Sequence, residues 1–506
     1  MEEKASGILM HISSLPCEYG IGDLGPQAYK FADFLKQAKQ KRWQVLPINQ
    51  IDPKGNYSPY NCLSAFVGNT LLISPELLVE EGLLTRKDVK DKPAFPKTKV
   101  DYRRVISYKK KLIDTAYERF KSRAAQKQYQ KFCSDNNSWL EDYALFMAIR
   151  RKYRYSLWST WESKLRDRKA DALRAVKITL ADSINKEKFQ QYIFFRQWFG
   201  LKNYCNKRGI KLIGDIPIYV SYESADVWAH PEFFKLTKTK RPRFIAGVPP
   251  DFFSRRGQLW GNPVYDWQAL KQANYRWWIQ RIDHNLAMFD IVRIDHFRGF
   301  VGYWQVPVGY KNASKGKWAA GPKEDFFEKV FGRFPLSAFI VEDLGRITSD
   351  VRALIEKFQL TTTKVLLFAF GKNSATSPHN PRNYVKNSIV YTGTHDNNTI
   401  RGWFDNEADG GQKRRLLDYI GHKVPAGQVH WEFIKLAMGS VSNTVIIQMQ
   451  DVLGLGRQAR MNRPSTVKNN WRWRLRQAHR GRLAQRQIKA AVCERLAKMT
   501  ECYGRG

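Results

Sequence analysis

Four short segments place ionisable side chains where apolar runs end or inside them. IVRIDHF carries Arg293 and Asp295, FIVEDLG carries Glu342 and Asp343, YTGTHDNNT carries His395 and Asp396, and GDIPIYV carries Asp215. Residues two apart on a strand face the same side, so Arg293 and Asp295 do. A guanidinium there favours ionised Asp295. Glu342 follows a buried apolar run, the setting that raises a carboxyl pKa and suits a general acid. Cleavage of a glycosidic bond needs two such acids: one protonates the leaving oxygen, the other attacks or activates water. A third orients sugar hydroxyls or supports an oxocarbenium-like transition state. Each group also has a bland role. Arg293 and Asp295 as a pair would close a barrel top. Asp343, more than Glu342, would cap a helix beginning near Thr348. His395–Asn398 would be a turn. Flat rings in Tyr57-Ser58-Pro59-Tyr60 and Trp260-Gly261-Asn262-Pro263 suit sugar faces, and Trp260 as a core residue holding its loop is the alternative.

These groups need a scaffold that brings strand ends together. Eight apolar, mostly β-branched runs read as strands buried on both faces: 7–12, 43–48, 211–220, 291–297, 339–344, 364–370, 388–392 and 444–449. Helical patterns separate them, as at 27–38, 275–285, 348–358 and 430–438. Repeated strand–helix alternation predicts an α/β fold, a (β/α)₈ TIM barrel, whose function sits at the C-terminal ends of the strands. Residues 1–506 then form one catalytic barrel unit. Residues 53–209 are a helix-rich insertion between strands 2 and 3, too long for a simple crossover. Residues 221–270 are a Pro-, Gly- and aromatic-rich rim-loop insertion, with 247–262 as a lid. Residues 476–498 read as a basic helix, with no β-domain after the barrel.

Hydrophobic residues make up 43% and charged residues 26% of the chain, which excludes a mainly disordered protein. No apolar stretch is long enough to span a membrane, and an acidic N-terminus before a short apolar run argues against a secretory signal. The six cysteines form no CxxC pair and no HExxH spacing occurs, so free thiols in the cytoplasm and no metal are expected. The net charge of +38 attracts polyanions. Its scatter, and the lack of any nucleic-acid-binding signature, point to a solvated surface without a nucleic-acid partner.

The segments SGILMHISSLPCEYGIGDLG, NYSPYNCLSAFVGN, GDIPIYVSYESADVW, AGVPPDFFSRRGQLWGNPVYDW, VRIDHFRGF, VEDLG, YTGTHDNNT and QDVLGLGRQARMN together resemble the 4-α-glucanotransferase family, amylomaltase or disproportionating enzyme, of the α-amylase superfamily. The likeness runs in order from about Ala5 to Leu475. It implies a barrel with insertions that transfers α-1,4-glucan segments between malto-oligosaccharides, or glucans derived from starch or glycogen, with retention and without cofactor or metal. Asp295 matches the nucleophile, Glu342 the acid/base and Asp396 the third carboxylate. Arg293 and His395 match donor-site partners, Asp215 the acid of GDIP, and Tyr57, Asp251 and Trp260 residues of glucan-binding loops. The chain departs from the family pattern at Thr361–Thr363, at Leu367, and at Ser465 and Asn469, which replace glycines. Two other readings use the same residues: an α-glucan hydrolase, and a non-catalytic homologue that binds glucan or a polyanion.

Overall fold

The computed structural model describes residues 4–123, 126–250, 255–476 and 490–506. Its strands are β1 (Ala5–Leu9), β2 (Arg42–Gln44), β3 (Lys211–Ile216), β4 (Phe244–Val248), β5 (Gln258–Pro263), β6 (Ile291–Ile294), β7 (Gly302–Pro307), β8 (Lys317–Ala320), β9 (Phe339–Val341), β10 (Thr361–Val365), β11 (Ser388–Tyr391) and β12 (Thr444–Gln448). Eight of them close into a barrel in the order β1-β12-β11-β10-β9-β6-β3-β2, with every pairing parallel. Each of the eight expected runs supplies one barrel strand. The fold is the (β/α)₈ barrel, because parallel neighbours need crossovers and all of them here carry α-helices except the one from β10 to β11, which has only 3-10 turns.

The sixth barrel strand lies earlier than its apolar run. Thr362 and Thr363 pair with Ser388 and Ile389 of β11, and Leu366–Phe368 turn into a 3-10 helix. Apolar content does not distinguish strand from a buried turn, whereas the β-branched threonines suit the pleat. The threonines at 361–363 therefore lie in the strand itself.

Amphipathic spacing accounts for the helices. In the helix Tyr102–Lys121 the buried residues include Val105, Tyr108, Leu112, Ala116 and Phe120, a three-to-four residue repeat that makes one apolar stripe. Asp101 caps it by accepting from Arg104 N at 3.3 Å. Between β2 and β3 this helix is joined by Asn137–Lys152 and Ala181–Asn206, among others. The segment expected to be rim loop contains two strands. β4 and β5 pair antiparallel, and with β7 and β8 they make a second sheet in the order β5-β4-β7-β8. Pro263 ends β5, an edge strand, where a missing amide proton costs no ladder bond. After β12 the described residues contain no further strand, and the last helix is Ala490–Cys502. Most of the basic helix expected at 476–498 lies outside the described residues. Among the described residues no helix is long and apolar enough to cross a membrane.

Candidate active site

Strand register brings the charges together. Asp215 of β3 stands opposite Arg293 of β6, and Arg293 stands opposite Ile340 of β9, just before Glu342. Asp295 N donates to Ile216 O and Glu342 N to Ile294 O, both at 3.0 Å. The three acids thus leave adjacent strands at one level. Arg293 Nη1 lies 2.7 Å from each carboxylate oxygen of Asp215 and 3.0 Å from Asp295 Oδ1. Its Nη2 lies 3.7 Å from Glu342 Oε2. The Asp215 side chain is fully buried and that of Arg293 is 5% exposed, whereas Asp295 is 24% and Glu342 17% exposed. The buried pair is a fixed platform, and the two partly open carboxyls face the cleft.

Burial raises the carboxyl pKa of both Asp295 and Glu342, and their mutual repulsion and the nearby Asp215 and Asp396 add to it, while Arg293 opposes the rise. Burial also disfavours charge on Arg293, but Asp215, Asp295 and Glu342 overcome it and hold the guanidinium charged. Arg293 is closer to Asp295, and the His296 amide bonds Glu342, so each carboxylate has its own partner for the charged form and the raised titration belongs to the pair.

His296 takes a left-handed conformation with φ 50, uncommon outside Gly, Asn and Asp. That turn aims its amide at Glu342 Oε2, 2.5 Å away. It also sets its ring edge-on to Trp260, with centroids 4.9 Å apart. Burial lowers the His296 pKa to about 4, so the ring is neutral. Trp260 thereby sits one residue from Asp295, on β5 rather than in a loop.

The opposite wall is built from Tyr60, His395 and Trp471. Tyr60 Oη donates to Asp215 Oδ2 at 2.6 Å and lies 3.3 Å from His395 Nδ1. Its ring stacks on His395 at 4.9 Å, and Trp471 lies 5.8 Å from both rings. His395 is buried, which lowers its pKa. Asp396 is open, at 47% exposure, with Oδ1 3.4 Å from His395 Nε2. Asn462 Nδ2 donates to the same oxygen at 2.6 Å, and Arg460 holds the Asp396 backbone oxygen at 2.6 Å.

Of the nine residues expected in the site, the structure gathers Asp215, Arg293, Asp295, Glu342, His395 and Asp396 into one linked cluster, with Trp260 against it through His296. Tyr57 stands apart, stacked on Tyr102 at 4.3 Å; Tyr60 takes the place beside the acids. Asp251 lies outside the described residues, as does part of the expected lid. Asp343 does not cap the helix Ser349–Lys357, whose N-cap is Thr348. It accepts from Thr363 N at 2.7 Å and lies 3.7 Å from Lys364 Nζ, because the shifted β10 passes beside it. Asn462 and the His296 amide escaped the sequence reading. The left-handed loop carrying Asn462 and Trp471 was signalled only by the glycine replacements: Ser465 and Asn469 have φ 62 and 67. Leu367 packs near the His395 loop: a Cβ added at Gly393 would lie 3.0 Å from Leu367 Cδ1. Among the described residues no group of three His, Cys, Asp or Glu is arranged to hold a metal ion.

A parallel barrel with open carboxyls around one buried guanidinium at the C-terminal rim defines a barrel enzyme of glycosidic-bond chemistry. The model of the 4-alpha-glucanotransferase family matches residues 10–479. The 4-alpha-glucanotransferase of Aquifex aeolicus is 45% identical over 474 residues, 94% of this chain and 96% of that one. That of Clostridium butyricum is 41% identical, covering 98% of this chain and 100% of its own. The structure of amylomaltase from Streptococcus agalactiae in complex with acarbose matches with a TM-score of 0.94 at 37% identity, covering 100% of both chains. This chain belongs to the 4-alpha-glucanotransferase family.

Proposed function

We propose that this chain transfers α-1,4-glucan segments between malto-oligosaccharides in the cytoplasm by a retaining double displacement. The observation that carries the reading is Arg293, held by buried Asp215, next to two partly exposed carboxyls of unequal distance. Asp295, the nearer, attacks the anomeric carbon while Glu342 gives its proton to the departing glycosidic oxygen. The released glucan leaves, and the 4-hydroxyl of a second chain enters. Glu342 takes the proton of that hydroxyl as it displaces Asp295, which restores both groups. Asp396, fixed by Asn462, is placed to hold donor hydroxyls and support positive charge at the anomeric carbon. His395 and Tyr60 form the donor wall, and Trp260 offers a ring to the incoming sugar.

Incubation with maltotriose and separation of the products tests this. A ladder of longer and shorter maltodextrins is expected. Release of reducing ends without longer products would assign hydrolysis instead, and no turnover would assign a binding role.

A further inference from the structure

The charge of +38 is unevenly distributed. The second sheet and its connections, residues 233–265 and 297–323, contain twelve Lys and Arg against a single acid, Asp251. In the chain as a whole 47 acids accompany 85 bases, more than one for every two, so this region is a local asymmetry. None of the twelve forms an ion pair with another described residue. The acids whose field reaches it include Asp167, Glu232, Asp266 and Asp350, all outside both segments.

Register decides which cations share a face. Lys317 stands opposite Gln305, and Trp318 opposite Trp304; directly opposed residues project to the same side. On one face Lys235 Nζ donates to Tyr303 Oη at 2.9 Å and Gln305 Oε1 at 3.2 Å, so Lys317 joins it. The 308–316 hairpin adds exposed Lys311 and Lys315. Tyr310 stands open at 50% exposure in the same hairpin, and Trp318, 38% exposed, lies on the other face of β8 with the Arg298 guanidinium 4.0 Å from its ring centre. Unpaired cations with an open ring among them suit a polymer that has both flat sugar faces and anionic groups. The far edge strand of the same sheet reaches the cleft. β5 holds Trp260 against His296 beside Asp295, and β8 lies three strand spacings away, about 14 Å.

We propose that this sheet docks an α-glucan bearing anionic substituents, phosphate monoesters in chemical class, whose unsubstituted end reaches the carboxyl cluster. The proposal rests on the glucan-transfer reading. A neutral glucan has nothing to pair with the cations. A nucleic acid has the charge, but its strand would run toward Asp295, Glu342 and Asp396, which repel it and have no use for it.

The experiment compares the wild type with the triple variant Lys311→Gln, Lys315→Gln, Lys317→Gln on three donors: a phosphate-bearing dextrin, the same dextrin after phosphatase treatment, and maltotriose. Unfolding midpoints of both proteins are measured alongside. For the wild type at low salt, KM is expected to be roughly tenfold lower for the phosphorylated dextrin than for the treated one, because each engaged phosphate contributes a salt-sensitive contact. The difference is expected to vanish in about 0.5 M salt, where the Debye length is a few ångströms, and in the triple variant, with maltotriose kinetics and unfolding unchanged. Equal KM for the two dextrins in the wild type overturns the proposal, and so does a difference that persists in the variant. Salt-sensitive binding of oligouridylate, lost in the variant, with equal dextrin KM assigns the face to nucleic acid and overturns it too. Absence of turnover on maltotriose refutes the transfer reading instead, and is seen separately.

Discussion

At the scale of single residues the site depends on which of two similar carboxyls carries the proton. Asp295→Asn keeps the shape and removes the carboxylate proposed to attack the anomeric carbon. Transfer is expected to fall on the order of 10³-fold or more with unchanged unfolding, and near-normal turnover of a clean preparation would remove Asp295 from the role. Glu342→Gln is expected to spare an activated donor far more than maltotriose, since a good leaving group needs little protonation. Its kcat/KM profile on that donor is also expected to lose its alkaline limb. The sign follows from the role: a general acid works protonated, so activity falls as pH rises through its pKa, which burial has raised. Asn462→Ala removes the 2.6 Å bond that fixes Asp396. A bond to a charged group is worth roughly 1.5–3 kcal/mol, so kcat/KM should drop at least tenfold on maltotriose with little change in unfolding. An unchanged kcat/KM would mean that Asp396 needs no positioning.

At the scale of elements, strand ends and the loops behind them set the geometry. Asp451, fully buried, follows β12 and accepts from Ile400 N and Thr392 Oγ1, both at 2.8 Å. It therefore ties the loop of His395 and Asp396 to the next strand. Burial raises its pKa from 3.8 to about 7. The folded state thus binds a proton that the unfolded state has released between about pH 4 and 7, and stability declines as pH rises through that window and is flat above it. The group's share is up to about 4 kcal/mol. Asp451→Asn, which keeps the bond from Ile400, should flatten the unfolding free energy over this range relative to the wild type. A parallel profile in the variant would show that Asp451 titrates normally. Trp260, carried by β5 against His296, is the ring proposed to meet the incoming sugar. Trp260→Ala should raise the ratio of hydrolysis to transfer, at a cost of about 1 kcal/mol in acceptor binding. A lower melting temperature with an unchanged ratio would make Trp260 a packing residue only.

At the scale of the whole molecule, the barrel is closed at its other end by Arg505. Its guanidinium is fully buried and donates to Met438 O and Ser440 O at 2.7 Å and Ser442 O at 2.8 Å, while its own backbone oxygen accepts from Ser6 N at 3.2 Å. It thereby ties the last turn to β1 and to the approach of β12, where the first and last strands meet. Burial drops its pKa to about 10, still charged near neutrality. Arg505→Ala strands three buried carbonyls and is expected to lower the unfolding free energy by about 3 kcal/mol in denaturant titration, with maltotriose kinetics intact below the transition. An unaltered midpoint would mean that water replaces the guanidinium.

The eight barrel strands were legible because parallel strands buried on both faces must be apolar throughout, a local property of the chain. The acids were legible because a charge at the end of such a run needs a use. Both signals are short-range, and the family likeness rests on the same segments. What escaped depends on register and on distant chain. Tyr60 and Tyr57 are equally aromatic in sequence, and only the turn at Asn56 and Tyr57, both left-handed, decides which reaches Asp215. Asn462 has no pattern of its own and meets Asp396 because the loop after β12 folds back over the rim. Apolar residues at 366–370 read as strand, and hydrogen bonding to β11 decided otherwise. Nor does composition say that the segments 233–265 and 297–323 share one sheet, since they meet there only through the pairing of β4 with β7. Residue types and periodicity thus determined the barrel and its acids. Partner choice across the barrel, which depends on through-space hydrogen bonds and charge, was decided only by the tertiary structure.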